Sequence, residues 1–175
     1  MRNDRIYKLV TASLCLALAL VLPFLTGQIP EIGNMLCPMH IPVLLCGFLC
    51  GPVYGTAVGA VAPFMRSLLF GMPPLFPTAA AMCFELCVYG LIAGVLYNRF
   101  PRKVYNIYIS LIAAMLCGRI VWGGVYAAFC GISGMPFGVN LFFTQAVVNA
   151  IPGIILQVIL IPVLVMAIEG MRRKN

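Results

Sequence analysis

Two arginines and one glutamate lie inside apolar stretches of this chain: Arg66, Arg119 and Glu85. An ionisable group at membrane depth costs at least ~2.5 to 3.5 kcal/mol on insertion scales, so such groups pair with one another or face a polar cavity. Two buried cations against one buried anion predict a cavity with spare positive charge. The chemistry within reach is electrostatic recognition and hydrogen bonding, not bond cleavage. The single histidine is His40, and the carboxylates are Asp4, Glu31, Glu85 and Glu169. There is no G-x-x-x-x-G-K-[ST] phosphate loop, no H-E-x-x-H pair and no Ser/His/Asp set. The eight cysteines form neither C-x-x-C nor a Cys/His pattern with zinc spacing. Most of them read as small hydrophobes, and we expect no metal site, no cofactor in this chain and no enzyme activity.

Further polar and aromatic residues join the three charges. Arg119, Trp122 and Tyr126 share one helical face by the three-and-four rule, as do Glu85 with Tyr89 and Gln145 with Asn149. His40 opens an apolar segment. With a rise of ~1.5 Å per residue, Arg66, Glu85, Arg119, Gln145, Asn149 and His40 converge on the outer half of the expected bundle. A pocket open to one side, with aromatic walls, a cation and amides, suits a small polar molecule that bears a ring or a carboxylate. Each residue also has a plainer role. Arg66 can snorkel to head groups, and Glu85 with Arg119 can be a purely structural pair. Gln145 and Asn149 can bridge helices, His40 can bond backbone, and Trp122 and Tyr126 can be packing or interfacial residues.

The elements that must position these residues follow from composition. The chain has 175 residues, 63% hydrophobic and 9% charged, with mean hydropathy +1.07. Soluble domains are about 45 to 50% apolar and about 25% charged. The composition therefore demands an integral membrane protein, and at ~20 residues per helical crossing the chain reads as one all-α domain over residues 1–175, a compact bundle of six transmembrane helices. Their approximate ranges are 7–26, 40–51, 52–70, 78–97, 105–129 and 141–168. The N-terminal segment mimics a signal peptide, but its apolar run continues to Leu25 and reads as a retained helix. Gly51-Pro52 marks a tight turn. Pro63 is expected to break the third segment, and Pro23, Pro152 and Pro162 to kink theirs.

Nine of the eleven Lys and Arg residues fall in three clusters at the ends of apolar runs: Arg2, Arg5 and Lys8; Arg99, Arg102 and Lys103; Arg172, Arg173 and Lys174. Short Lys/Arg-rich loops stay cytoplasmic, so both termini and the connection after Tyr97 are expected in the cytoplasm. The net charge of +7 and pI near 9.2 then reflect attraction to anionic lipid head groups of the bilayer, not nucleic-acid binding. We expect a multi-pass protein of the bacterial cytoplasmic membrane.

The run Met39-His40-Ile41-Pro42-Val43-Leu44-Leu45-Cys46-Gly47-Phe48, followed by Gly51-Pro52 and a Gly-rich third helix, resembles the substrate-binding S component of energy-coupling factor (ECF) vitamin transporters. In that family an H-x-P or D-x-P element opens the second helix, and His40 with Pro42 match it. A small-xxx-small motif on the first helix contacts the coupling subunit, and Ser13 with Ala17 stand as its counterparts in place of Ala-x-x-x-Ala. The resemblance implies capture of a vitamin-like substrate outside, reorientation in the membrane, and release driven by two ATPase subunits through a transmembrane coupling subunit, with ATP used by those partners. It also implies lids over the pocket, for which we read residues 28–38 and 71–77.

The spare positive charge favours a small acid such as pantothenate. If Glu85 neutralises Arg119 and Arg66 snorkels, an uncharged ring compound such as a B6 vitamer or a modified-base precursor fits the Trp122 and Tyr126 wall. The other classes left open are a membrane scaffold or assembly protein without a small ligand, and an integral membrane enzyme.

Overall fold

The computed structural model describes residues 2–26, 36–101, 103–133 and 151–174. Among them the regular structure is helical: α1 (Arg2–Val21) with a 3-10 extension (Leu22–Thr26), α2 (His40–Cys50), α3 (Pro52–Phe70), a π-helical turn (Leu75–Ala79), α4 (Ala80–Arg99), α5 (Val104–Ile132) and α6 (Ile151–Lys174). The change from α to 3-10 geometry in the first segment coincides with Pro23, whose ring opposes the carbonyl of Ala19 and which donates no N–H. The expectation that Pro63 breaks the third segment is corrected. α3 runs through Pro63, as α6 runs through Pro162. In a bilayer no water is present to take up freed backbone groups, so a helix distorts locally around proline before it breaks.

Among the described residues, five helical segments have the length and apolar character to cross a membrane, namely Asp4–Leu25, Pro52–Phe70, Leu75–Arg99, Val104–Ile132 and Ile151–Met171. α2 does not. Its 11 residues reach only ~16 Å against a hydrocarbon core of ~30 Å. Every α2 residue except Leu49 is buried, the pattern of a helix that is apolar all round and enclosed by others. Its neighbours are α1, α3, α4 and α6, so the shortest helix is the centre of the bundle. It ends at Gly51, whose φ of 94° lies in the region glycine alone adopts readily, and Pro52 opens α3 where a missing N–H does no harm.

α3 and α4 meet backbone to backbone. A Cβ on Gly55 would strike Gly47 of α2 and the Gly90 carbonyl; one on Gly59 would strike Leu86, one on Gly90 the backbone of Gly55, and one on Gly94 Pro52. Small residues at such seams let helices approach without the hydrophobic drive that lipid removes. The seam sets the depth of α4, which carries Glu85.

One end of the bundle gathers the first turns of α1 and the last turns of α2, α4 and α6. Asp4, Tyr7, Lys8, Cys50, Gly51, Asn98, Ile168 and Glu169 line a cavity of about 160 Å³ there. The Tyr97 hydroxyl donates to Glu169 Oε2 at 2.8 Å. The helix ends that carry the basic clusters thus lie together. At the other end, Arg66 and Phe70 of α3 meet Leu20 and Phe24 of the first segment.

Candidate binding site

α4 and α5 pack antiparallel, and their contacts form a ladder. Glu85 faces Arg119 with 3.2 Å between Oε1 and Nη1. One turn further along, Ala81 packs on Trp122. Beyond that the ring of Phe76, in the π-helical turn, lies 5.0 Å from Phe129. The ladder needs Gly118: a Cβ there would overlap the Tyr89 ring, so the absent side chain lets Tyr89 lie on the α5 backbone beside Arg119. Tyr89 follows Glu85 by one turn on the same face of α4.

The first turn of α2 enters at this level. His40 Nε2 stands 3.5 Å from Glu85 Oε1, and its ring meets Tyr89 edge-on at 5.2 Å. The Arg119 Nη2 donates to Cys37 Sγ at 3.5 Å. Cys37 holds a left-handed φ of 46°, and its carbonyl accepts from the His40 N–H at 3.0 Å. Glu85 is 1% exposed and His40 3%. One buried carboxylate therefore faces a guanidinium and an imidazole at the start of a helix whose first turn is buried. Among the described residues, His40 Nδ1 and Nε2, Glu85 Oε1 and Arg119 Nε are buried without a hydrogen-bond partner. Buried polar atoms are satisfied in the great majority of native structures, so four orphans in one cluster give it hydrogen-bonding capacity to offer a ligand.

Trp122 and Tyr126 stack with ring centroids 5.1 Å apart and planes at 21°, on the face of α5 that also holds Arg119. Trp122 is buried and Tyr126 half-buried, so the slab extends outward from the ion cluster. Of the residues singled out from sequence, His40, Glu85, Tyr89 and Arg119 come into mutual contact, with Trp122 and Tyr126 the next turns of one wall. Arg66 has other contacts. Its Nη1 donates to the Leu20 carbonyl at 2.6 Å, and its guanidinium lies over the rings of Phe24 and Phe70 at 5.0 and 5.4 Å. Gln145, Asn149 and most of the expected lid 28–38 lie outside the described residues.

Ser13 and Ala17 are exposed on α1, while Cys15 and Ala19 of the same helix are buried. The Ser13 hydroxyl donates to the Leu9 carbonyl at 3.0 Å, which removes its polarity from the helix surface. Two residues of the site were not singled out from sequence. Cys37 belongs to the stretch 28–38 read as a loop, though its place in Cys37-Pro38-Met39-His40 ties it to the start of α2. Gly118 had a clearer signal, a glycine directly before a buried arginine.

Residues 7–165 match the profile of a protein family described as ECF transporter, substrate-specific component. No curated protein and no solved structure matches the chain.

Proposed function

The chain belongs to the family of substrate-specific components of ECF transporters, and from that premise we propose that it captures a small water-soluble micronutrient and delivers it to a coupling subunit served by two ATPases. The family is one of transporter subunits rather than enzymes, and the long apolar helices fit a multi-pass membrane protein. The observation that carries the reading is the buried cluster of His40, Glu85 and Arg119. It sits at the start of α2, away from the end where the basic helix termini gather. Desolvated charges held this way are expensive, and inside membranes they mark substrate pathways.

In this reading the basic end faces the cytoplasm and the end bearing Phe76, Phe129 and Phe24 faces outward, where substrate arrives. Glu85, Arg119, His40 and Tyr89 form the polar floor of the site, and Trp122 with Tyr126 form one wall. Gln145 and Asn149 would add amide hydrogen bonds from the sixth segment. The exposed Ser13 and Ala17 face of α1 offers the close helix approach that a transmembrane coupling subunit requires.

The test is the thermal stability of the detergent-purified protein against water-soluble vitamins and their precursors. A ligand at about a thousand times its dissociation constant adds ~4 kcal/mol of apparent stability. A strong hit that Arg119→Ala abolishes supports the capture role. Stabilisation by no member of the panel, together with no ligand carried through purification, would remove it.

A further inference from the structure

Resting on the capture role, we infer that the ligand is an uncharged planar heteroaromatic compound with both a donor and an acceptor on its edge, not a carboxylic acid. The reason is that the anion position of the site is already filled by the protein itself. The Arg119 guanidinium and His40 Nε2 would recognise a ligand carboxylate, and Glu85 stands against both. A second carboxylate there would face Glu85 at close range in a low-dielectric setting, where like charges repel strongly. Arg66, the other buried cation, does not relieve this, because it is held by the Leu20 carbonyl and two phenylalanine rings. The spare positive charge that the composition of the apolar segments implied is therefore directed elsewhere.

The open valences complement a neutral ring. Glu85 Oε1 is an acceptor with no hydrogen-bond partner among the described residues. The Arg119 Nε–H is a donor in the same condition. A ring that carries an N–H or O–H beside a carbonyl or ring nitrogen satisfies both. The stacked Trp122 and Tyr126 give such a ring a flat apolar face one turn from Arg119, and aromatic stacking favours planar partners.

The chain supplies its own probe, since Trp122 is its single tryptophan. The experiment is intrinsic fluorescence and thermal melting of the full chain in nanodiscs with charge-matched pairs: nicotinamide against nicotinate, and pyridoxine against 4-pyridoxate. Cytosine, 7-deazaguanine and pantothenate complete the set. The expected result is that at least one uncharged ring quenches Trp122 and raises the melting temperature, while the acids do neither. The companion variant Glu85→Gln vacates the anion position, and it should tighten binding of an acid probe by about tenfold, as expected for one hydrogen bond to a charged group. An acid that quenches and stabilises the unaltered protein while the neutral rings do not would overturn this inference and leave the capture role standing. Failure of every probe on the unaltered protein, with no gain of acid binding by Glu85→Gln, would overturn both.

Discussion

Glu85 on α4 and Arg119 on α5 stand 3.2 Å apart with the carboxylate 1% exposed, and this pair organises the interior of the protein. Breaking a buried pair from one side strands the other charge and costs about 3 to 5 kcal/mol, while replacing both partners by apolar groups is often neutral. Arg119→Ala is therefore expected to lower unfolding stability by about that amount, and Glu85→Met with Arg119→Leu to recover most of it. Ligand affinity should fall well over tenfold in both, since a desolvated charge pair in recognition is worth ~2 to 5 kcal/mol. Unfolding curves and binding isotherms on the same variants separate the two roles. Affinity that returns with stability in the double variant would make the pair purely structural.

Arg66 joins α3 to the end of the first segment through the Leu20 carbonyl, with Phe24 and Phe70 around it. Arg66→Met keeps an unbranched apolar stem and removes the donor, which is expected to lower stability by ~1 to 3 kcal/mol and leave affinity unchanged. A parallel loss of affinity, read by the same melting and binding assays, would return Arg66 to the site.

Gly90 touches the backbone of Gly55. Because backbone cannot yield as a side-chain tip does, Gly90→Ala should reach or exceed the ~1 to 3 kcal/mol typical of overpacking. The helices α3 and α4 would also separate and carry Glu85 away from Arg119. The expected outcome is a lower melting temperature together with weaker binding. Gly124→Ala, where a Cβ meets no described residue within 4 Å, is the control and should melt like the unaltered protein.

The orientation is tested from the basic end. A fluorescent reporter that folds only in the cytoplasm, fused after Asn175, should be bright, and an exported phosphatase fused at the same point should be inactive. The opposite pair of signals would invert the bundle and place the Glu85 site toward the cytoplasm.

Much of this was legible in the linear chain because its causes are local. Hydropathy alone demanded a membrane bundle, since soluble domains typically carry about 25% charged residues against 9% here. The stretch from Met39 to Phe48 carried the family resemblance that the profile match over residues 7–165 shows. Glu85, Arg119 and His40 stood out because a charge inside an apolar run is improbable without a partner. Which partner each has was decided by packing. Composition counted two buried arginines against one glutamate and so implied excess positive charge. The folded chain joins Arg119 to Glu85 and sends Arg66 to Leu20, because pairing depends on depth and facing, and both follow from how the glycine seam seats α3 against α4. The place of α2 was decided the same way: length marks it as too short to span, but only the helices packed around it put its first turn, with His40, inside the bundle beside Glu85. A sequence lists charges without their distances, and in a medium that screens so little, distance decides which of them neutralise each other.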